Sequence, residues 1–117
     1  MEKELNICAL GQKVKQYRME KGYSAEKLSE LAGVSKSHIN NIESANSHAS
    51  AEVLVRIANA LDISVDLLLC DSLKGKAYQR ARVFEYSKML EGCSESETKV
   101  IIDTVKALKD SLREFNI

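Results

Sequence analysis

Ser24-Ala-Glu-Lys-Leu-Ser-Glu-Leu-Ala-Gly-Val-Ser-Lys-Ser-His-Ile-Asn-Asn-Ile-Glu43 reads as two short helices meeting at a glycine, and this stretch decides the fold. Ser24 and Ser35 stand where a side-chain oxygen accepts from the free amides of a helix's first turn. Gly33 suits the crowded or left-handed turn between two helices that cross near a right angle. Leu28, Val34, Ile39 and Ile42 supply the apolar contacts that pin the pair together. With Ile39 and Ile42 inward, helical geometry turns Lys36, Ser37, Asn40, Asn41 and Ser44 outward. That face is rich in hydrogen-bonding groups and has no carboxylate. Asparagine pairs bidentately with adenine and lysine donates to guanine, so the face suits base edges and phosphates.

Upstream, Ala9–Lys21 places Leu10, Val14 and Tyr17 on one face of an amphipathic helix, and Gly22 gives it a C-terminal stop. Downstream, Ser44 to Ala49 is small and polar and reads as a loop. Ser50 caps a fourth helix with Val53, Leu54, Ile57, Ala58 and Leu61 inward. Asp62 turns the chain, and Ser64 caps a short fifth helix through Leu67, Leu68 and Leu69. These five helices use residues 9–70 and supply one small core, marginal in size for a domain alone.

Asp71 to Gly75 reads as a boundary. Lys76–Glu91 follows as a helix bearing Tyr78, Ala81, Phe84, Met89 and Leu90, and Gly92 ends it. Ser94 and Glu97 then have capping-box spacing. The last helix carries Ile101, Val105, Leu108, Leu112 and Phe115 at steps of 4, 3, 4 and 3, the heptad pattern of a helical seam. Two arrangements satisfy it: a dimer contact, or a hairpin packed back on Lys76–Glu91. A pair of such hairpins also makes a four-helix bundle.

The 117 residues include no proline and five glycines, which favours helix throughout. Cys8, Cys70 and Cys93 are odd in number and far apart, so neither a disulfide framework nor a zinc site is expected. His38 and His48 lack ligand partners at useful spacing and read as exposed polar residues. No metal, no cofactor and no catalytic set is expected, since no triad, paired-carboxylate cleft or phosphate-cradling glycine loop occurs. The polar start at Glu2, Lys3 and Glu4 is unlike a secretion signal, and no apolar run reaches bilayer length. A cytoplasmic protein without membrane contact is the expectation. Seventeen basic and seventeen acidic side chains cancel. Residues 1–70 hold eight Lys/Arg against nine Asp/Glu, so a monomer should bind DNA weakly.

The order and spacing of Leu10-Gly-Gln-Lys-Val-Lys-Gln-Tyr-Arg-Met-Glu-Lys-Gly-Tyr-Ser24, Leu28, Gly33-Val-Ser35 and Ile42-Glu43 resemble the Cro/cI-type (XRE) helix-turn-helix family. Leu54, Ile57-Ala-Asn-Ala-Leu61 and Ile63-Ser-Val-Asp-Leu-Leu68 resemble its fourth and fifth helices. The resemblance spans about residues 10–69 and is not traced into the tail. It implies a five-helix lambda-repressor-like DNA-binding domain over 1–70. The heptad steps, not the resemblance, add a C-terminal two-helix dimerisation segment over 76–117, and the whole is expected to be all-α. The resemblance places Lys36, Ser37 and Asn41 at base-contacting positions, with Asn40 beside them. Phosphate contacts are expected at Ser24, Ala25, Ser35, His38, Ser44 and Asn46. Arg18 and Glu43 match a partly buried salt bridge that orients the third helix in related repressors.

Two departures weaken phosphate contact. Ala25 stands where the family often has a phosphate-clamping Gln, and Asn46-Ser-His-Ala49 replaces a loop often basic and proline-containing. The implied function is a homodimeric repressor reading a palindromic operator in double-stranded DNA. The alternative is a protein-interaction module, an antitoxin or anti-regulator, whose C-terminal helices hold a regulatory protein. The slightly acidic N-terminal half favours that alternative.

Overall fold

Serine oxygens set the starts of five helices. Ser24, Ser35, Ser50, Ser64 and Ser94 each accept from the amide three residues on, at 2.9, 3.1, 3.2, 3.2 and 3.1 Å. Each bond satisfies an amide that has no acceptor within its own helix. The computed structural model describes residues 4–115; Glu2, Lys3 and positions 116–117 lie outside the described residues. Among these the chain is all-helical, with α1 (Ile7–Glu20), α2 (Ala25–Ala32), α3 (Lys36–Glu43), α4 (Ala51–Leu61) and α5 (Val65–Leu68). A 3-10 turn (Cys70–Ser72), α6 (Gly75–Met89) and α7 (Glu95–Glu114) follow.

The helix ends differ slightly from those the apolar spacing predicts. α1 starts two residues before Ala9 because Asn6 caps it, its side-chain oxygen accepting from Ala9 N at 2.9 Å. α6 stops at Met89, where the Leu90 and Glu91 amides turn to carbonyls three residues back. Asp62 holds the turn after α4 with φ 55°, a left-handed conformation that normally favours glycine.

By backbone proximity the chain divides into two compact units, Met1–Phe84 and Glu85–Ile117. The first is built on one core. Val14, Leu28, Ile39, Ile57, Leu61 and Leu67 are fully buried, with Leu10, Tyr17, Ile42 and Leu68 almost so. Each such side chain contributes about 1.5–3 kcal/mol by leaving water. The division falls inside α6, not at the Asp71–Gly75 boundary that composition predicts. The first turns of α6 join the N-terminal unit because Ala81 is buried and Arg82 reaches back to Asp71 at 3.3 Å. Arg82 also lies 5.1 Å from the Tyr78 ring centroid. The Asn6 amide donates to Ser72 Oγ at 2.9 Å, fixing the 3-10 turn to the start of α1.

The second unit comprises the end of α6, the Gly92 turn and α7. No residue of α7 is buried within the chain. Tyr86, Met89, Leu90, Ile101, Ile102 and Val105 line an apolar cavity of about 420 Å³ in this unit.

Candidate nucleic-acid interface

α3 is amphipathic in the sense its sequence predicts. Ile39 and Ile42 are 0% and 1% exposed, while Lys36, Ser37, Asn40 and Asn41 all face solvent on the opposite side. His38 is half-buried on the flank. Ser35 is exposed and caps the helix through its hydroxyl, so the first backbone amides of α3 point outward. The helix lies between α1 and α2 and packs on both. Four predicted base-reading residues thus share one exposed face.

What fixes the angle of that face is a fork. Arg18 Nε and Nη2 donate to the two carboxylate oxygens of Glu43 at 2.8 and 2.9 Å, and Nη1 donates to the Tyr23 carbonyl at 2.8 Å. The two side chains are only 13% and 10% exposed. The hydrogen bond to Glu43 raises the guanidinium pKa above its ordinary value. A bidentate pair of this kind has one geometry, because the planar donors match the planar acceptors. It ties α1, the turn before α2 and the last residue of α3 to one point. The sequence reading named the pair but not the Tyr23 carbonyl.

The phosphate-contacting candidates stand on two elements. Ser24 caps α2 and is exposed, whereas the Ala25 methyl packs against the core, leaving its backbone amide as the available group. Glu26 lies in the same first turn and opposes an anion there. Beyond α3, the Ser44 hydroxyl donates to the Asn40 carbonyl at 2.8 Å and accepts from Asn46 Nδ2 at 3.1 Å. The Asn41 carbonyl accepts from the Asn46 and Ser47 amides at 2.8 and 3.3 Å. Ala45, with φ 60°, occupies the left-handed position that closes α3. This loop is wrapped on the helix end, and the Ser44 proton is already donated within it. Asn46 is the residue of the two with an amide hydrogen directed elsewhere.

Gly11 is a contributor that the sequence reading passed over. It is buried in α1 beneath the end of α3, and a Cβ built there would lie 2.7 Å from the Glu43 carbonyl oxygen and closer still to that of Ile42. No pattern of side chains announces such an approach of backbone to backbone.

The five residues of the expected dimer seam, Ile101, Val105, Leu108, Leu112 and Phe115, are all exposed, from 38% to 72%. Among the described residues no group of His, Cys, Asp or Glu has metal-holding geometry, and no helix is long and apolar enough to cross a membrane.

A helix-turn-helix family model matches residues 14–68. The chain is 35% identical over 111 residues to the HTH-type transcriptional regulator SinR of Bacillus subtilis (strain 168), covering 90% of this chain and 99% of that protein. The similarity therefore runs on into the tail, which corrects the expectation that it stops near residue 69. Among solved structures, SinR in complex with DNA is 46% identical, with a TM-score of 0.50 over 51% of this chain and 97% of that one. The SinR/SinI protein complex is 34% identical, with a TM-score of 0.51 over 86% and 98%. These relatives regulate transcription and are not enzymes.

Proposed function

Because the chain belongs to the XRE-type helix-turn-helix family of DNA-binding transcriptional regulators, we propose that it is a homodimeric repressor reading a palindromic operator through α3. The observation that carries this reading is the α3 face. Its outward side chains are amides, a hydroxyl and an ammonium, and its one carboxylate, Glu43, is turned inward to Arg18. An exposed carboxylate beside the bases would be repelled by phosphate; none is present on this helix. Lys36, Ser37, Asn40 and Asn41 read base edges in the major groove. Ser24, the Ala25 amide, Ser35, His38, Ser44 and Asn46 hold the backbone on either side, and helix N-termini do most of that work. The relative SinR was solved in complex with DNA, which supports the same use of this domain.

Two observations support a dimer. The N-terminal seventy residues carry no excess of positive charge, so one copy neutralises few phosphates. Ile101, Val105, Leu108, Leu112 and Phe115 lie uncovered along α7, which a second copy would bury. Two reading helices then address half-sites about 34 Å apart, one turn of DNA. Cys8, Cys70 and Cys93 form no disulfide among the described residues, which fits a reducing cytoplasm. A second reading, a protein partner on the tail, is favoured by the SinR/SinI complex and uses the same uncovered row.

A salt titration with duplex DNA tests the DNA-reading assignment. The logarithm of the affinity for a duplex selected by the protein should fall linearly with the logarithm of salt concentration. Lys36→Ala should weaken that duplex by about 5- to 100-fold, the value of a lost base contact, and leave a scrambled duplex nearly unaffected. Equal binding of parent and variant to the selected duplex would remove Lys36 from the reading set.

A further inference from the structure

We propose that Gly11 is a positioning residue for DNA reading: the missing side chain sets how closely the C-terminal turn of α3 seats on α1, and so where α3 stands in the groove. The inference rests on the assignment of α3 as the reading helix and deepens it.

The geometry is specific. A Cβ at position 11 meets the carbonyl oxygens of Ile42 and Glu43, and the Glu43 carbonyl carbon lies 3.0 Å away. These are backbone atoms, so no side-chain rotation relieves the overlap. Either α1 or the end of α3 must move. The other glycines differ: at Gly22, Gly75 and Gly92 a Cβ meets open space, and at Gly33 it meets only the flexible tip of Arg56. The hydrogen that Gly11 carries in place of a Cβ points at carbonyls in the last turn of α3, where intrahelical donors run out. Such a contact is a weak C–H···O bond and rewards the close approach.

Position 11 also shares a face with Arg18, two helical turns along α1. Glu43 is therefore held twice, its carbonyl against Gly11 and its carboxylate in the Arg18 fork. The two anchoring residues stand seven positions, about 10 Å, apart along α1 and converge on one residue of α3, so they constrain its direction as well as its distance. Ile42, between them and the core, is 1% exposed and leaves no slack. A methyl group at position 11 lifts one end of α3 while the fork still holds Glu43, which tilts the face bearing Asn40 and Asn41. Base contacts tolerate displacements of only a few tenths of an ångström, whereas salt-dependent attraction to phosphates does not depend on such precision.

The test uses the full chain, a duplex selected by it from random DNA, and a scrambled duplex of equal composition. Gly11→Ala, Asn41→Ala and Asp62→Gly are compared alone, and Gly11→Ala is also joined to Asp62→Gly. Asp62 caps the end of α4, outside α3, and glycine suits its positive φ, so that change should raise the melting midpoint. The expected result is that Gly11→Ala lowers the selected-to-scrambled affinity ratio at least about tenfold. In the double variant the midpoint recovers and the ratio stays low. A ratio that returns with the midpoint overturns the proposal, because Gly11 then serves stability alone. A ratio unchanged in Gly11→Ala, with Asn41→Ala losing its preference, overturns it while leaving the reading helix in place. A preference retained by Asn41→Ala overturns both.

Discussion

Arg18 donates through three nitrogens, two to Glu43 and one to the Tyr23 carbonyl, in a pocket that leaves it 13% exposed. Removing Glu43 leaves a mostly desolvated guanidinium with one acceptor. Glu43→Ala should therefore lower unfolding free energy by about 3 kcal/mol, read as a shift of the urea midpoint at constant slope. A loss under about 0.5 kcal/mol would mean the pair behaves as an exposed one. The guanidinium pKa is raised by this bond, so its contribution is complete below the unfolded value and fades only as pH rises through the folded one. That window lies above any ordinary working pH, and Arg18 adds no pH dependence there. At this scale the sequence was partly legible. Ile39 and Ile42 announce which side of α3 is buried, and that alone exposes Lys36 and Asn41. Gly11 and Ala45 are not legible, because one acts through the backbone of a distant helix and the other adopts a left-handed turn without being glycine.

The helices themselves were readable because each start carries a side chain with a physical task. Five serines cap, and Ser94 with Glu97 forms a reciprocal box at the head of α7: the Glu97 carboxylate accepts from the Ser94 amide at 3.1 Å while Ser94 Oγ accepts from Glu97 N. The backbone bond from Ser94, then its side-chain bond, holds the Glu97 carboxyl below its ordinary pKa. A depressed carboxylate stabilises above its unfolded pKa and loses that contribution as pH falls through the folded value. Helicity of α7 should accordingly decline on acidification to below the usual carboxylate range. Glu97→Gln, which keeps an acceptor without the charge, should remove that component from an acid titration followed by circular dichroism. An acid titration identical to the parent's would show the Glu97 charge to be inconsequential to α7. What the sequence concealed at this scale is the docking of the first turns of α6. Composition marks a linker at Asp71–Gly75, but Asp71 and Arg82 pair across it and Ala81 is buried behind them.

For the whole molecule, zero net charge and an uncovered apolar row point the same way. A chain with seventeen charges of each sign attracts DNA weakly as a single copy. Doubling the reading helices on one duplex multiplies affinity without a new kind of contact. The heptad steps of α7 were legible as a seam, yet sequence alone left its partner open. Ile101 and Val105 help line the cavity in the tail unit, yet all five seam residues remain 38–72% exposed. Deleting residues 94–117 should reduce the mass in light scattering from twice the 13.0 kDa chain to a single shortened copy. A truncated chain that still dimerises would place the interface outside α7.

Reading of base sequence by α3, two copies at a time, is the proposal on which the function turns. It is tested most directly by selecting bound fragments from random duplex DNA with the parent protein and with Asn41→Ala. Selection with the parent should yield an inverted repeat whose half-sites are centred about one helical turn apart. Asn41→Ala should lose preference at one symmetry-related base position in each half and keep the rest. A selection that yields no repeat, or a repeat that Asn41→Ala reads as the parent does, would contradict it.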